Sequence, residues 1–335
     1  MNSLGRHKIP LMGGGDWNDG MNRVGIKGKG ESVWLGFFLY AVIDMFIETL
    51  KKVKFTIDFD KYIEFNEKLK DNLNKKTWDG DYYLRAFFDN GDKLGSNENS
   101  ECKIDLISQS FSIISEVAPK DRVQKLINSV EENLVDDKNK IIKLLTPPFE
   151  KSLNNPGYIM NYPEGIRENG GQYTHAASWY ILALIKAGYH DRAYRYFQMI
   201  NPANRTRKSK DVDIYRVEPY VIAADIYSSK SFPARGGWTW YTGSAGWFYR
   251  VGVENIIGIH KLGDKLKLDP RIPIAWDSLK VVYTYMNTIY NISIIKAKKE
   301  SLTLDGIWKD KNIINLVNDG KTHEIVLKVI SKGDY

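Results

Sequence analysis

The sequence predicts a mainly α-helical protein that ends in a small β domain. Apolar residues recur at helical spacing through most of the chain before Gly263, and alternately short and long loops join the helices that they predict. After Gly263 the chain is rich in Val, Tyr, Thr and Ile, which is typical of strands. Paired helices with long loops favour a helical barrel or toroid, in which the long loops gather on one face and build a site.

The predicted elements follow this pattern. The first 30 residues are glycine-rich without a regular period, so we expect a functional loop there. About eight helices are predicted, one from Ser32 and the others over 60–73, 105–116, 119–134, 174–187, 191–200, 217–227 and 244–258. Strands are predicted over 281–294, 301–304 and 324–330, with a turn at Asn318-Asp319-Gly320. We therefore expect a helical domain over 1–264 and a β domain over 265–335.

Composition narrows the class of protein. A chain of 335 residues is long enough for one large domain or two unequal ones. The net charge is +7, but the lysine clusters are dispersed and lie beside acids, so they predict solvated faces and no nucleic-acid partner. Aromatic residues make up 13% of the chain, which suits a sugar-binding site but is explained at least as well by a large core.

Cysteine content and hydropathy indicate the compartment. The single cysteine, Cys102, excludes an intramolecular disulfide and favours a reducing environment. No apolar run approaches the ~20 residues that span a bilayer, and residues 1–10 lack the apolar core of a signal peptide. We expect a cytoplasmic protein without a membrane span.

The first candidate site segment is the glycine-rich run 13–22. It contains Asp16 and Asp19 on either side of Trp17 and Asn18. A tryptophan beside a carboxyl group offers a platform for a sugar and a low-dielectric wall, which raises the pKa of the carboxyl group and suits a general acid. An Asx-rich turn that caps the next helix explains the same residues equally well.

The second candidate segment, 162–175, concentrates hydrogen-bonding side chains around three glycines. Such density before a helix suits a polyhydroxylated ligand or an anion. A single histidine at a helix start is more often structural, but the polar neighbours of His175 favour a ligand-binding role. Its candidate residues are Tyr162, Arg167, Glu168, Gln172 and His175.

The third candidate segment is 235–247, in which Thr242-Gly243-Ser244 opens a predicted helix. Free backbone N–H groups and hydroxyls at such a position form a cradle for an anion. A helix cap with small residues for close packing is the alternative. The chain contains no P-loop, dinucleotide fingerprint, zinc-ligand spacing or nucleophile elbow.

Six segments, in order, give the sequence a family resemblance that covers nearly the whole chain. They are GGGDWNDGMNRVG, GKGESVWLGFFLY, YYLRAFFDNGDKLGS, GIRENGGQYTHAASW, YRVEPYVIAADIY and RGGWTWYTGSAGWFYR. Together they resemble glycoside hydrolase family 94, the inverting glycoside phosphorylases. The wording is most similar to the β-1,2-glucan branch, which comprises the carboxy-terminal region of cyclic β-1,2-glucan synthases and the β-1,2-oligoglucan phosphorylases.

The resemblance implies a fold and a set of roles. The fold is an (α/α)6 barrel followed by a small β-sandwich. Asp19 matches the general acid and Trp17 the donor-sugar subsite, while His175, Thr242 and Gly243 match the residues that hold phosphate. The remaining candidate sugar-binding residues are Tyr162, Arg167 and Glu168 near the acceptor, together with Gln172, Glu218 and Trp240.

The chemistry that the resemblance implies is phosphorolysis of a β-linked glucan to α-glucose 1-phosphate. An inverting hydrolase needs a second carboxylate to activate water, whereas phosphate is already a nucleophile. Inorganic phosphate would be the co-substrate, and neither a metal nor an organic cofactor is implied. A hydrolase with Glu168 or Glu218 as base, or a catalytically incomplete sugar-binding fragment, is the alternative.

Two departures from the family qualify the resemblance. Cellobiose phosphorylases carry a glutamine shortly after Glu-Pro-Tyr, whereas residues 221–224 here are Val-Ile-Ala-Ala, which favours the β-1,2-glucan branch. The amino-terminal part of the family and its first barrel helices have no counterpart, so we expect a partial barrel. Association with that missing portion or a homodimer would complete it.

Overall fold

A computed structural model describes residues 3–53, 58–330 and 333–334. The described residues form two compact units, Met1–Ala187 with Met199–Ala245, and Gly188–Gln198 with Gly246–Tyr335. The first unit carries most of the helices and the second carries the long strands. The division at residue 264 expected from the sequence stays a prediction.

The helices largely follow the predicted pattern. They are α1 (Val33–Lys52), α2 (Phe59–Lys76), α3 (Leu106–Ile114), α4 (Lys120–Leu134), α5 (Thr174–Ala187), α6 (His190–Ile200), α7 (Pro202–Arg205), α8 (Ser209–Tyr215) and α9 (Thr242–Arg250), with 3-10 turns at Asp19–Met21 and Tyr158–Asn161 and a π-helical segment at Val251–Ile256. The first two short helices after residue 200, α7 and α8, were not predicted.

The helix predicted over 217–227 is wrong. This segment is a loop that ends in the two-residue strand Asp225–Ile226. Asp225 and Ile226 pair with Tyr173 and Gln172 in a two-stranded sheet, so pairing with a distant segment replaces the helical conformation. The backbone N–H of Ala224 instead donates to the carbonyl of Trp238, 2.6 Å away, which ties the loop to a distant segment.

Side-chain caps fix where the helices of the first unit begin. Ser32 caps α1 by accepting a hydrogen bond from the N–H of Leu35 at 3.0 Å, and Asp105 caps α3 through the N–H of Ile107. Nearly every residue of α3 and α5 is buried, and these two helices pack against each other in the core. Both helices therefore hold their neighbouring loops against a rigid centre.

Short strands tie the long loops of the first unit to the helix starts. They are β1 (Glu31–Ser32), β2 (Ala86–Phe87) and β3 (Lys93–Leu94) in one sheet, then the pairs β4 (Ile104–Asp105) with β7 (Leu145–Thr146), β5 (Val135–Asp136) with β6 (Ile141–Ile142), and β8 (Gln172–Tyr173) with β9 (Asp225–Ile226). Because β1, β4 and β8 run directly into α1, α3 and α5, each pairing places a distant loop at a helix amino terminus.

The second unit contains two sheets. One has the order β10-β11-β16, formed by Ile259–Leu262, Lys265–Leu268 and Ile313–Asn315; the other has the order β12-β13-β17-β14-β15, formed by Ser278–Tyr285, Thr288–Lys296, Thr322–Val329, Ser301–Leu304 and Ile307–Lys309. Buried residues of both sheets, such as Leu266 and Ile292, belong to one hydrophobic cluster.

The predicted strands need one correction. The run 281–294 is a hairpin of β12 and β13 rather than a single strand, and Met286 takes a positive φ of 53° at its turn. The turn could not be predicted from the sequence because residues 281–294 have a uniform β-type composition without Gly or Pro. The strand over 301–304 and the turn at Asn318–Gly320 are confirmed.

One helix of the described residues, α1, is long and apolar enough to cross a membrane by length and composition, with a mean hydropathy of 1.7. The expectation that no apolar segment approaches the length of a membrane span is therefore wrong for α1. A single such helix is weak evidence for a span, because the core helix of a folded domain meets the same criteria.

The outer face of α1 exposes large apolar side chains. Phe38, Val42, Met45 and Phe46 are 41%, 39%, 63% and 44% exposed. Their spacing places them along one stripe of the helix, opposite the buried Val33, Phe37 and Ile47. A contiguous apolar stripe of this kind is typical of an interaction surface.

We predict that this stripe drives association of the isolated chain. The double substitution Met45→Glu with Phe46→Lys should shift the protein toward monomer in sedimentation velocity, because it places charges in the stripe. Val282→Glu is the matched control, since Val282 is 70% exposed on a strand of the second unit. A wild-type chain that is monomeric at all concentrations would contradict the prediction.

Candidate active site

A buried ion pair anchors the loop that carries both candidate acids. Arg85 is fully buried, and its Nη1 and Nη2 donate to the two carboxylate oxygens of Asp16 at 2.7 and 2.6 Å. Asp16 also accepts from the hydroxyl of Ser32 at 2.6 Å and from the N–H of Asn18 at 3.0 Å. Burial raises the pKa of Asp16, but Arg85 and these donors outweigh it and hold the pKa below its ordinary value.

A second carboxylate, Asp105, lies on the other side of the same guanidinium. Its Oδ2 is 3.4 Å from Nε of Arg85, and its side chain is 1% exposed. Burial raises the pKa of Asp105 to about 6, against the attraction of Arg85. One arginine therefore holds the loop of Asp16 and the cap of α3 together.

Asp19 lies three residues further along, in a different environment. It is exposed and opens a 3-10 turn that Asn18 caps by accepting from the N–H of Gly20 at 3.1 Å. The hydroxyl of Tyr158 lies near the Asp19 carboxylate; burial and this negatively charged neighbour raise the pKa of Tyr158 to about 12. Asp19 is thus the carboxyl group of this segment that a ligand can reach.

Gly157 explains how Tyr158 reaches Asp19. Its φ is +132°, and a Cβ there would lie 2.5 Å from the carbonyl oxygen of Gly20. The N–H of Tyr158 then donates to Oδ1 of Asn22 at 3.2 Å. Sequence reasoning missed Tyr158; the glycine before it was the available signal.

Trp17 forms an aromatic wall with residues of the second segment. Its ring meets those of Tyr173, His175 and Trp179 at centroid distances of 5.3, 5.5 and 5.3 Å. These contacts join the first candidate segment to the start of α5. Trp17 is partly exposed, so the wall retains a face that a sugar ring can contact.

The structure also brings His175 to the third segment. An added Cβ at Gly243 would lie 3.4 Å from Nδ1 of His175, so the imidazole faces the first turn of α9. Thr242 and Gly243 are exposed at that helix start, where backbone N–H groups have no intrahelical partner. Burial lowers the pKa of His175 to about 4, which keeps the ring neutral at pH 7.

Arg167 and Glu168 form a third cluster of the predicted residues. The guanidinium of Arg167 lies 5.0 Å from the ring centre of Tyr162 and 3.7 Å from that of Trp238. Its Nε is 3.7 Å from Oε2 of Glu168. The pKa of Glu168 is raised, first by burial and also by repulsion from Asp225 and Asp19, so Glu168 and Asp19 share one electrostatic environment.

Asp225 and Trp238 are residues of this cluster that sequence reasoning missed. Asp225 is 1% exposed, and its Oδ1 accepts from the N–H of Trp238 at 3.0 Å. Gly237 makes this possible, because a Cβ there would lie 2.3 Å from the Asp225 carboxylate. The paired glycines before Trp238 were the signal that a close approach is required.

Two predicted sugar-binding residues, Gln172 and Glu218, are hydrogen-bonded within the protein, and a third, Trp240, keeps an open ring face. Gln172 is fully buried; its Oε1 accepts from the N–H of Ile142 at 2.9 Å and its Nε2 donates to the Thr174 hydroxyl at 3.2 Å. Glu218 accepts from the indole N–H of Trp240 at 2.9 Å, which lowers the pKa of Glu218. Trp240 is 67% exposed, so its ring face is open to a ligand.

Within residues 3–53, 58–330 and 333–334, no group of three His, Cys, Asp or Glu side chains is arranged to hold a metal ion.

Comparison with known proteins identifies the family. The family model described as "Glycosyl hydrolase 94 superfamily, catalytic domain" matches residues 1–258. The chain belongs to the glycosyl hydrolase 94 superfamily. The family resemblance inferred from the six sequence segments is therefore confirmed.

Relatives within the glycosyl hydrolase 94 superfamily are considerably longer than this chain. The cyclic β-(1,2)-glucan synthase NdvB of Rhizobium meliloti is 47% identical over 295 residues, which are 88% of this chain and 10% of that protein. Solabiose phosphorylase of Paenibacillus borealis is 31% identical over 96% of this chain and 42% of its own length. The 1,2-β-oligoglucan phosphorylase of Listeria innocua is 23% identical over 63% of this chain and 21% of its own length.

A solved structure described as "Sialidase" shares the fold of this glycosyl hydrolase 94 chain. The TM-score is 0.54 at 11% sequence identity, and the match covers 84% of this chain and 25% of that one. At this identity the likeness concerns the fold alone.

The buried ion pair gives a stability prediction. Arg85→Met should lower the free energy of unfolding, measured by urea denaturation, by about 3–5 kcal/mol, because it leaves two buried carboxyl groups without their counter-charge. Lys75→Met is the matched control: Lys75 pairs with Asp71 at the surface, at 2.8 Å, and its loss should cost less than about 1 kcal/mol. Equal stability of the two variants would contradict the anchoring role of Arg85.

Proposed function

We propose that this chain is the catalytic part of an inverting phosphorylase that cleaves a β-1,2-linked glucan with inorganic phosphate and releases α-glucose 1-phosphate. Asp19 is the general acid, and His175, Thr242 and Gly243 hold the phosphate. Trp17 lines the donor-sugar subsite, and Tyr162, Arg167 and Glu168 line the acceptor side. The reaction needs neither a metal nor an organic cofactor, and we place it in the cytoplasm.

The observation that carries this proposal is the convergence of three distant segments. His175 faces the exposed helix start at Thr242 and Gly243, and the same imidazole packs at 5.5 Å from the ring of Trp17. Trp17 lies two residues before the exposed carboxyl group of Asp19. An anion cradle, a sugar platform and an accessible acid are therefore neighbours, and phosphorolysis needs all three.

The acid step follows from the environment of Asp19. Its carboxyl group would protonate the glycosidic oxygen as the bond to C1 breaks, so the electron pair of that bond stays on the departing sugar. In this proposal the neighbouring hydroxyl of Tyr158 orients the carboxyl group of Asp19. Asp16 cannot share this role, because Arg85 occupies both of its oxygens.

The nucleophilic step follows from the cradle. A phosphate oxygen would attack C1 on the face opposite the leaving oxygen, which inverts the β configuration to α. The N–H groups at the start of α9 attract the phosphate and orient it for this attack. A neutral His175 adds a hydrogen bond from or to the phosphate without an additional full charge.

A hydrolase would need a second carboxylate that activates water. Both candidates have other partners: Glu218 accepts from Trp240, and Glu168 lies 3.7 Å from Nε of Arg167. Phosphate, held opposite the acid, removes the need for such a base.

The names of two relatives support the β-1,2 linkage, and the helices of the first unit support the proposed barrel. NdvB of Rhizobium meliloti and the Listeria innocua enzyme are both named for β-1,2-linked glucans. The packed helix pairs of the first unit, such as α1 with α2 and α3 with α5, support a partial (α/α)6 barrel. Association with the preceding portion of the family fold, or a homodimer, would complete it.

Asp19→Asn should lower the phosphate-dependent release of glucose 1-phosphate from β-1,2-gluco-oligosaccharides at least ~100-fold while leaving phosphate binding nearly unchanged. His175→Ala should instead weaken phosphate binding most. Rates and calorimetric binding are measured for the chain alone and after addition of the preceding region from an NdvB-type relative.

Asp81→Asn is the control for Asp19→Asn, because the Asp81 side chain is 65% exposed and contacts only Lys125 as an ion pair among the described residues. It should behave as the wild type. Wild-type turnover by Asp19→Asn would rule out the acid assignment.

A further inference from the structure

A cavity of about 80 Å³ in the first unit is lined by one buried arginine and two exposed lysines. Arg205 ends α7, and Lys138 and Lys140 belong to the turn between β5 and β6. Asp211 is the one carboxylate among the described residues that line it. The lining therefore carries a net positive charge.

Arg205 has an unusual environment for a buried charge. Its side chain is 5% exposed, yet among the described residues no carboxylate lies within 4.0 Å of the guanidinium. Nη1 and Nη2 each reach only the carbonyl of Asn139, at 3.4 Å, and Nε is buried without a hydrogen-bond partner. Burial lowers the pKa of Arg205 to about 10, so the group stays charged at neutral pH.

Two acceptor groups near Arg205 already have other hydrogen-bond partners. Asp136 fixes the turn by accepting from the N–H and the amide of Asn139 at 3.0 and 2.7 Å. Tyr215, which also lines the cavity, donates its hydroxyl to the carbonyl of Val221 at 3.3 Å. Asp136 and Tyr215 therefore do not supply the missing acceptors in this arrangement, and an uncompensated buried charge is strongly unfavourable.

We propose that this cavity binds a small oxyanion of the phosphate class. Arg205 at its base supplies several N–H donors to the oxyanion oxygens, and Lys138 and Lys140 neutralise the remaining charge. A volume of about 80 Å³ holds several water-sized groups, as a tetrahedral oxyanion requires. The carboxylate of Asp211 can accept a hydrogen bond from the P–OH group of a monoprotonated phosphate.

This site shares no residue with the candidate active site, so the two proposals stand independently. It lies against the loop that follows α8, because Tyr215 also accepts from the N–H of Gly236 through its carbonyl, at 2.9 Å. Occupancy would therefore stabilise the start of the segment that leads to Trp238.

The test uses protein labelled with ¹⁵N-arginine and inorganic phosphate as the probe, at constant ionic strength. The Nε–Hε resonance of Arg205, assigned by its absence in Arg205→Lys, should shift and saturate as phosphate is added. Arg205→Met should raise the melting temperature without phosphate, because it removes an unpaired buried charge, and should weaken calorimetric binding at this site by about tenfold or more.

Lys138→Met with Lys140→Met tests the same site without touching the buried residue. This double variant should shift the midpoint of the Arg205 titration by roughly two- to tenfold. Lys103→Met with Lys230→Met, two exposed lysines outside the cavity, should leave it unchanged. The proposal is wrong if the Arg205 resonance does not respond to phosphate, or if the two double variants titrate alike.

Discussion

The buried ion pair between Arg85 and Asp16 is the interaction on which the candidate site depends. Arg85 lies on the segment that enters β2, and Asp16 lies on the glycine-rich loop 69 residues earlier. Ser32 donates to Asp16 and also caps α1 through Leu35. One guanidinium thus fixes the loop and the start of the longest described helix, and Asp105 extends the same contact to α3.

This constraint gives two neighbouring aspartates opposite roles. Asp16 is ionised, buried and fully paired, so it supplies rigidity and no chemistry. Asp19, carried on the next turn of the same loop, is exposed and contacts Tyr158, so it can meet a substrate. The buried charge of Asp16 is neutralised by Arg85, whereas the carboxyl group of Asp19 lies at the surface. An acid on the same loop can therefore be held in place without destabilising the fold.

The sequence predicted the parts of the structure that depend on local patterns. Helices such as α1 and α5 follow from apolar spacing, and the turn at Asn318–Gly320 follows from its residues. The two interpretations of the first segment could not be separated from the sequence, because the partner of Asp16 is distant in the chain. The structure shows Asp16 as a structural turn residue and leaves Asp19 exposed, as the proposed acid role requires. Contacts between distant segments were missed for the same reason, as with Asp225 and Trp238. The prediction of a helix over 217–227 was wrong because residues 224–226 pair with distant segments.

The configuration of the sugar phosphate formed from β-1,2-gluco-oligosaccharide and inorganic phosphate tests the central claim most directly. Proton and phosphorus NMR of the early products, recorded for the chain with the preceding family region added, would resolve it. The account predicts α-glucose 1-phosphate as the first product, formed only when phosphate is present. Formation of free glucose at a rate independent of phosphate, or of the β anomer of the sugar phosphate, would contradict it.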